Sequence, residues 1–278
     1  MSLHPLLLAT AVEAVLKAGD IQMASFGSSI RIDKKGEIDL VTEVDLAVER
    51  MFRELVAERF PDHRILAEEL GAANEPGPGG SCWIFDPLDG TTNYAHGLPV
   101  FSASLALEQH GQLVLGVVYD PTRKELFTAE RGGGAFLNGA PIRVSSAQGL
   151  LDALLVTGFP YDVHKTVDEI VGLFGAFIGQ AQAVRRLGSA ALDLCYVASG
   201  RMDGFWERRL KPWDMAAGGL IVEEAGGLVT GMDGGPFNCR AGHVVASNGR
   251  IHADMLRVIA EFEADRSRQV DRSRDRTL

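Results

Sequence analysis

The segment Asp86-Pro87-Leu88-Asp89-Gly90-Thr91-Thr92-Asn93 directly follows a short apolar run, residues 82–85, that has the character of a buried strand. Asp-Pro and Asp-Gly pairs are frequent turn formers, so the segment is compatible with an ordinary turn at a strand end. A Pro-fixed turn would also direct the carboxylates of Asp86 and Asp89 to one cation, with the Leu88 carbonyl as a third oxygen. An all-oxygen ligand set suits Mg²⁺ or Mn²⁺ rather than zinc, which favours His and Cys. The segment therefore predicts a divalent-cation site at the end of a strand.

The residues that follow the two aspartates favour binding of an anion. Gly90-Thr91-Thr92 can open a short helix, whose free N–H groups and positive dipole end accept negative charge. Metal-binding carboxylates beside phosphate-binding amides are a specific combination. The segment thus points to a metal site that handles a phosphate group.

Other acidic residues would have to join such a centre. Glu68-Glu69 ends the preceding predicted strand, and a parallel pairing of the two strands would bring it near Asp86. Asp214 lies at the start of a predicted helix, where acids commonly cap free N–H groups. Asp45 follows Thr42 by three residues, which is a capping-box pattern. Taken alone, each of these acids is more often structural than a metal ligand.

Composition excludes several classes of protein. The chain has 278 residues with 37 acidic and 27 basic side chains, a net charge of −10. A protein whose main task is to neutralise nucleic-acid phosphates usually has a basic face, so this charge argues against such a partner. An apolar content of 46% excludes disorder for the bulk of the chain. The three cysteines, Cys82, Cys195 and Cys239, have no disulfide or zinc spacing and fit a reducing compartment.

The N-terminal region predicts a helix rather than a targeting signal. Residues 6–12 are apolar and Ala9-Thr10-Ala11 has the form of a signal-cleavage site, but no basic residue precedes the run and Glu13 follows at once. Apolar residues from Leu8 to Ile21 recur instead at helical spacing. No apolar run approaches the length of ~18 residues that a membrane span needs. These features predict a cytoplasmic protein without a membrane segment.

Hydrophobic periodicity divides the chain into three stretches. Two helices are predicted first, over residues 5–26 and 42–60, with a short strand near residues 30–32 between them. Strands at residues 63–67 and 82–85 precede antiparallel strands joined by tight turns between residues 100 and 128. Beyond residue 150, strands alternate with helices, which implies layered sheets covered by helices. The elements of this last stretch are strands at 153–157, 183–187, 203–206, 228–230 and 244–246, and helices at 166–178, 189–199, 213–225 and 251–263.

Three segments of the sequence are interpreted as structural features rather than functional motifs. The Gly/Pro/Asn-rich residues 71–80 are predicted as a loop. Gly132-Gly133-Gly134 follows a hairpin and lacks a following Lys-Ser or Lys-Thr pair, so a turn is favoured over a nucleotide-binding loop. Residues 264–278 repeat Asp, Arg and Ser with almost no apolar side chain, and they are predicted as a flexible polar tail. A functional Arg-rich arm is the alternative for the tail.

Two long motifs and three shorter ones resemble the inositol monophosphatase family. Asp86-Pro87-Leu88-Asp89-Gly90-Thr91-Thr92-Asn93-Tyr94 resembles its first signature, and Trp213-Asp214-Met215-Ala216-Ala217-Gly218 resembles its second. Further matches are Asp39-Leu40-Val41-Thr42-Glu43-Val44-Asp45, Glu68-Glu69 and Gly188-Ser189-Ala190-Ala191. The likeness runs in order from the first helix to about residue 259, which makes chance similarity no serious competitor.

The resemblance implies a fold and an activity. The family fold is α+β, a layered α-β-α-β-α sandwich of the sugar-phosphatase type. Residues 1–263 would form one catalytic unit, with an N-terminal metal-binding α+β half at about 1–145 and a C-terminal α/β half at about 150–263. The activity is Mg²⁺-dependent hydrolysis of a small phosphorylated polyol by in-line attack of water. A homodimer and sensitivity to lithium are further implications.

The resemblance also implies a set of metal ligands. Glu68, Asp86 and the Leu88 carbonyl resemble the ligands of one Mg²⁺, while Asp86, Asp89 and Asp214 resemble those of a second. Glu68 would also hold a third, weaker ion, and Mn²⁺ is an alternative to Mg²⁺. Two or three Mg²⁺ would bring about +4 to +6 to four carboxylates, so a dianionic phosphate completes a near-neutral cluster.

Roles in catalysis and substrate binding follow from the same resemblance. Thr91 resembles the residue that, with Asp45 behind it and Glu68 beside it, orients the attacking water and helps to deprotonate it. Lys35 resembles a basic residue on a mobile flap over the site, with Lys34 as an alternative counterpart. The residues that resemble the substrate-binding set are Asp89, Gly90, Thr91, Gly188, Ser189, Ala190, Glu207 and Asp214.

The resemblance leaves a choice of substrates. Glu207 precedes Asp214 by seven residues, at a position that suits a polyol hydroxyl, and Lys211-Pro212 is a pairing more typical of bacterial relatives. Hydrolysis of myo-inositol 1-phosphate is therefore the leading hypothesis. Fructose 1,6-bisphosphate, NADP, histidinol phosphate and a nucleotide 3′-phosphate are alternative substrates. The basic pair Arg208-Arg209 is compatible with the nucleotide. A non-catalytic regulatory or RNA-associated role is a hypothesis of a different class, and the presence of all the matched acids argues against it.

Overall fold

The computed structural model of the chain describes residues 4–71 and 80–275, and side chains as far as residue 268. Most of the predicted loop at residues 71–80 lies outside the described residues, as do the last three residues of the predicted tail. Within the described ranges, the chain forms a seven-stranded sheet, a five-stranded sheet and a separate two-stranded hairpin, with helices between them.

Helices α1 (Pro5–Ser25) and α2 (Glu43–Arg59) pack against each other at the N-terminal side of the molecule. The predicted capping box opens α2, because the Thr42 N–H donates to Asp45 Oδ2 (2.8 Å) and the Asp45 N–H donates to Thr42 Oγ1 (3.4 Å). Asp45 is fully buried in this cap. The Asp45 carboxylate is thereby held at the start of α2.

A two-stranded hairpin, β1 (Ile32–Lys34) and β2 (Leu40–Thr42), lies between α1 and α2. The prediction of a single strand near residues 30–32 was therefore incomplete. The second strand has only three residues, too few for a periodic signal, and it is defined by pairing with the first rather than by its own pattern. Lys35 follows β1 directly, so the hairpin turn carries it.

The larger sheet has seven strands in chain order, of which the first pair is parallel and the others are antiparallel. Its strands are β3 (Arg64–Ala67), β4 (Ser81–Asp89), β5 (Ser102–Gln109), β6 (Gln112–Asp120), β7 (Glu125–Glu130), β8 (Gly134–Leu137) and β9 (Ala140–Pro141). The parallel pairing expected for the first two strands is confirmed, and so is the turn at residues 132–134. Strands β8 and β9 were not predicted.

Strand β4 continues through the segment that was interpreted as a turn. Asp86 pairs with Ser104 and Asp89 with Ser102, so three steps along β4 match two steps along β5. Pro87 has no N–H to donate to the ladder, and the extra residue forms a β-bulge. Residues three apart in a regular strand face opposite sides of the sheet, and the bulge returns both aspartates to one side. Helix α3 (Thr91–Ala95) follows at once, as expected.

The second sheet has five strands in the order β11, β10, β12, β14 and β13, with β10 parallel to both of its neighbours. Its strands are β10 (Leu154–Thr157), β11 (Ala183–Arg185), β12 (Gly204–Arg208), β13 (Leu228–Thr230) and β14 (His243–Ser247). The intervening helices are α4 (Val167–Ile178), α5 (Ala190–Ala198), α6 (Pro212–Glu224) and α7 (His252–Asp275). The predicted alternation of strands and helices is confirmed throughout this stretch.

Helical layers and sheets alternate through the molecule. One core joins α1 and α2 to the seven-stranded sheet through Phe52, Trp83 and Phe85. A second core surrounds α5 and α6, which lie between the two sheets. A third core covers the outer face of the five-stranded sheet with α4 and α7, where Phe177 stacks on Trp206 at 3.9 Å. The predicted α-β-α-β-α sandwich is confirmed.

Helix α7 extends further than predicted. It continues to Asp275, whereas a helix end at Glu263 and a polar tail from residue 264 were expected. Arg266 explains part of the difference, because its guanidinium pairs with Glu169 on α4 (3.1 Å) and with Glu263 one turn earlier (3.8 Å). Among the described residues, neither α7 nor any other helix is long and apolar enough to cross a membrane.

Candidate active site

One cleft of about 240 Å³ collects the ends of β3 and β4 and the N-terminal ends of α3, α5 and α6. Residues from the first and second halves of the chain line it together. The predicted site residues that line it are Lys35, Glu68, Asp86, Leu88, Asp89, Gly90, Thr91, Gly188, Ser189, Ala190, Glu207 and Asp214. Asp45 lies outside the lining and reaches the site through Thr91.

Thr91 lies between a carbonyl group and a buried carboxylate. It opens α3 after Gly90, whose φ is 97° and where a Cβ would lie 2.9 Å from a backbone oxygen, so the position requires glycine. Thr91 Oγ1 lies 2.9 Å from the Leu88 carbonyl oxygen and 3.3 Å from Asp45 Oδ1. Burial raises the pKa of Asp45 to about 6, although hydrogen bonds from the capping threonine oppose the increase. The Thr91 hydroxyl therefore connects the cleft to a proton acceptor beneath it.

Asp89 connects the two halves of the chain. Its Oδ2 accepts hydrogen bonds from Ser189 Oγ (2.5 Å) and from the Ala191 N–H (2.8 Å), and its Oδ1 accepts one from the Ala190 N–H (3.3 Å). Burial raises the pKa of Asp89 to about 6, while the donors from Ser189 and Ala191 act in the opposite direction. The first turn of α5 is thus bound to the end of β4.

Asp86 and Asp214 add buried negative charge to the same cleft. Asp86 Oδ1 accepts a hydrogen bond from the Leu88 N–H (2.9 Å), and Asp214 Oδ2 accepts one from the Lys211 N–H (2.6 Å) at the start of α6. Burial raises the pKa of both carboxyls well above the usual value, and the charge of Glu68 raises both further. Among the described residues, no ion pair involves Asp86, Asp89 or Asp214.

Lys35 binds the acidic end of β3. Its Nζ lies 2.8 Å from Glu68 Oε1 and 2.6 Å from Glu69 Oε1. Burial alone would lower the pKa of Lys35, but the two glutamates outweigh burial and raise it. Burial, followed by the charge of Glu68, raises the pKa of Glu69 to about 7. The hairpin therefore carries a charged lysine onto one of the predicted metal ligands.

Glu207 brings an acid of the five-stranded sheet to the cleft. It belongs to β12 and is 7% exposed. Burial raises its pKa to about 8, and the guanidinium of Arg186 acts in the opposite direction. Gly158 makes room for this side chain, because a Cβ at that position would overlap the Glu207 carboxylate.

Comparison with known proteins agrees with this arrangement. The model of the inositol monophosphatase family matches residues 5–264. The chain belongs to the inositol monophosphatase family. It is 47% identical to an inositol-1-monophosphatase of Synechocystis, over 91% of this chain and 88% of that protein. It is 45% identical to a Haemophilus influenzae protein named Nus factor SuhB, over 91% of this chain and 95% of that protein.

Solved structures of the inositol monophosphatase family share the fold. The extragenic suppressor protein suhB of Bartonella henselae superposes with a TM-score of 0.86 at 40% identity, covering 91% of this chain and 98% of that one. The predicted membership is confirmed, and with it the assignment of the chain as a phosphatase.

The cleft offers the donors that this generally metal-dependent family requires. Glu68, Asp86, Asp89, Asp214 and the Leu88 carbonyl line it, and its described lining includes no His or Cys. Within residues 4–71 and 80–275, no three His, Cys, Asp and Glu side chains are already gathered as a formed metal site. These carboxylates accept hydrogen bonds from the protein and keep further lone pairs that could bind an ion. The all-oxygen donor set and its uncompensated charge fit Mg²⁺.

The sequence interpretation omitted two charged residues of the cleft wall. Asp193 and Arg186 both line the cleft. Asp193 is the only charged residue of α5, whose nine side chains are all buried. A charged residue inside an otherwise uncharged, buried helix is the signal that indicates such a position.

The metal-free protein is expected to lose stability as pH rises from 6.5 to 8.5. Glu69 and Glu207 have folded-state pKa values of about 7 and about 8, above the value of ~4.3 for an unfolded glutamate. The folded chain therefore holds protons that the unfolded chain has released, and the free energy of unfolding falls with rising pH. We expect the Tm in chelator to fall by about 5 °C over this range.

Thermal unfolding of the wild type and of Glu207→Gln in chelator measures this effect. Glu207 faces Arg186, Asp89 and Asp193, so neutralising it removes one source of the pH dependence. The variant should show a shallower fall than the wild type. The window starts at pH 6.5 because the half-buried His63 and the buried His252, whose pKa values burial lowers, act in the opposite direction at lower pH. A wild-type Tm that stays level or rises would contradict the prediction.

Proposed function

We propose that the protein hydrolyses myo-inositol 1-phosphate to inositol and inorganic phosphate in an Mg²⁺-dependent reaction. The observation that carries the proposal is the cleft that joins four carboxylates to the Thr91–Asp45 pair and that Glu207 also lines. The relatives named inositol-1-monophosphatase support the choice of substrate.

The metal would be held by the carboxylates at the ends of β3, β4 and α6. Glu68, Asp86 and the Leu88 carbonyl are proposed for one ion, and Asp86, Asp89 and Asp214 for a second, with Glu68 also available to a third. Bound divalent ions would neutralise the phosphoryl oxygens, lower the pKa of the attacking water and stabilise the leaving oxygen. Lys35 shares Glu68 with these ions, so its hairpin would act as a flap that responds to metal binding.

Thr91 and Asp45 are proposed to activate the attacking water. The hydroxyl hydrogen of Thr91 points to the Leu88 carbonyl or to Asp45, which leaves an Oγ1 lone pair to accept a hydrogen bond from water. A pKa of about 6 leaves Asp45 ionised in neutral and alkaline solution, where it can accept a proton through Thr91. Glu68, on the same side of the cleft, would help to hold the water in line with the leaving oxygen.

The start of α5 and the end of β12 are proposed to bind the alcohol part of the substrate. Gly188, Ser189 and Ala190 bring backbone groups to the cleft, and Glu207 and Asp214 bring hydrogen-bond acceptors. The hydroxyl groups of a polyol can donate to both acids. Gly90 and Thr91, at the N-terminal end of α3, lie on the phosphate side.

A panel of phosphomonoesters tests the substrate. Inositol 1-phosphate is expected to give a kcat/KM at least about tenfold above those of NADP and a nucleotide 3′-phosphate, because the cleft wall carries acids that would repel further phosphates. Release of phosphate would be measured for these three substrates and for fructose 1,6-bisphosphate. Asp89→Asn protein purified in the same way controls for contaminating phosphatases. Inositol 1-phosphate as the poorest of the four would contradict the proposal.

A regulatory role is a second candidate, favoured by the relatives named Nus factor SuhB at 42–45% identity. Such a role does not require the carboxylates of the cleft. Asp89→Asn separates the two functions, since it should remove hydrolysis and preserve a regulatory activity. A homodimer and lithium sensitivity stay predictions from the family resemblance, and a cytoplasmic location and the use of Mn²⁺ stay predictions from the sequence itself.

A further inference from the structure

Asp193 is a buried acid without a hydrogen-bond partner. It lies in the middle of α5, is 1% exposed, and neither carboxyl oxygen has a hydrogen-bond partner among the described residues. An unpartnered buried polar group costs about 1–3 kcal/mol, and a charged one costs more. The packing of α5 gains nothing from this acid. A donor supplied from outside the protein would account for it.

A molecule bound in the cleft could supply that donor. Asp193 is part of the cleft lining, next to the alcohol side already assigned to Glu207. The charges of Glu207 and Asp89 act on Asp193, and Arg186 is the cation that opposes them. Burial and these two acids raise the pKa of Asp193, so the pocket resists further negative charge.

Arg186 supplies the complementary donors. Its guanidinium lies 5.7 Å from the centroid of the Phe159 ring and makes no hydrogen bond or ion pair with the described residues. Gly188 leaves room for it, because a Cβ there would lie 2.6 Å from Arg186 Nη1. The wall therefore presents two carboxyl groups as acceptors and one planar group with free N–H donors.

This combination matches neutral hydroxyl groups. Each hydroxyl both donates and accepts, so adjacent hydroxyls can satisfy a carboxyl and a guanidinium at once. A second phosphate in the same place would meet the acids Glu207 and Asp193, with Arg186 as the cation whose charge acts on both. The wall would therefore favour a monophosphate of a polyol over a bisphosphate.

We propose that Asp193 is a specificity-determining residue that accepts a hydrogen bond from a hydroxyl of the substrate's alcohol part. The inference rests on the proposed function, which it deepens by naming a further contact on the alcohol side. Asp193 takes no part in the attack on phosphorus, since it lies on the wall with Glu207 rather than beside Thr91. Its loss should consequently affect substrates according to their hydroxyl groups.

Asp193→Ala, which removes both acceptor oxygens, tests the proposal against two substrates, inositol 1-phosphate and phenyl phosphate. Phenyl phosphate has no hydroxyl on its alcohol part. We expect kcat/KM for inositol 1-phosphate to fall about 10- to 100-fold, the scale of leaving a buried substrate hydroxyl without its acceptor, with phenyl phosphate changed less than about threefold. Since a buried carboxyl group without a partner is removed, the Tm of the free variant should rise by about 2 °C or more.

Leu194→Met is the matched control, because Leu194 is buried on the same helix and does not line the cleft. It should leave the ratio of the two kcat/KM values unchanged. Asp193→Asn keeps one acceptor oxygen, so it should show a smaller selective fall than Asp193→Ala, and it serves as the test if the alanine variant fails to fold. An equal fall on both substrates, or no fall on either, would overturn the proposal and assign Asp193 a structural role or none.

An error in the proposed substrate would be detected independently of the role of Asp193. If the wild type prefers another polyol monophosphate to inositol 1-phosphate, the proposed substrate is wrong. The ratio for Asp193→Ala is then measured with that preferred polyol phosphate and phenyl phosphate. A selective fall still supports the role of Asp193, and a uniform fall still overturns it.

Discussion

Replacement of Asp89 by asparagine is expected to lower kcat at least about a hundredfold, the scale of losing one charge-stabilising group. Asp89 is 9% exposed and holds the first turn of α5 through Ser189 and the N–H groups of Ala190 and Ala191. An amide keeps one acceptor oxygen but replaces the other with an NH₂ group, which has no lone pair for an N–H donor or a cation. Turnover of the preferred monoester at saturating Mg²⁺ measures the effect.

Asp120→Asn is a suitable control for that experiment. Asp120 is a fully buried acid at the end of β6, where it accepts a hydrogen bond from the Thr122 N–H (2.8 Å) and pairs with Arg123 (2.9 Å), away from the cleft. Its replacement should lower stability and leave kcat within about threefold of the wild type. Circular dichroism would verify that both variants are folded. A folded Asp89→Asn enzyme with near-normal turnover would defeat the assignment of Asp89.

Removal of divalent cations is expected to lower kcat/KM by at least about a hundredfold. The cleft brings together Glu68, Asp86, Asp89 and Asp214, and among the described residues only Lys35 forms an ion pair with any of them. An anionic phosphoryl group would be repelled by such a surface, because among the described residues no ion pair compensates Asp86, Asp89 or Asp214. Initial rates before and after chelation measure the loss.

Restoring the metal distinguishes an enzyme that has lost Mg²⁺ from one that has lost its fold. Excess Mg²⁺ added back to the chelated enzyme should recover the original rate, and the chelated enzyme should still show a cooperative melt. Mg²⁺ should also raise the Tm, since a ligand that binds only the folded state stabilises it. Full activity in the presence of chelator would show that the carboxylates serve another purpose.

Local sequence patterns were sufficient to predict most helices and strands of the fold. Helix α2 has a regular apolar face and a capping box, so both its existence and its start at Glu43 were predictable. The strand-helix alternation after residue 150 was equally clear. Strands β8 and β9, of four and two residues, were missed because they exist through pairing with β7 and with each other. The end of β4 was misinterpreted for a related reason, since Asp-Pro is ambiguous between a turn and a bulge.

The candidate site was predictable as a list of residues and not as a set of contacts. The motifs identified Asp89 and Ser189, but only the fold shows that a carboxylate on β4 binds the first turn of α5, 100 residues further along the chain. The family resemblance identified Lys35 as a flap residue, but it did not predict that Lys35 pairs with both Glu68 and Glu69. Asp193 was not predicted at all.

The sequence by itself determined the family, the order of the elements, the acids at the ends of β3 and β4, and the cap that holds Asp45. These features depend on residue type and on spacing of a few positions along the chain. Tertiary structure decided which carboxylates are deprived of water, which donors they meet, and that Asp193 opens onto the cleft without a partner. The physical reason is that desolvation and charge interactions act through space, between groups that the fold brings together from both halves of the chain.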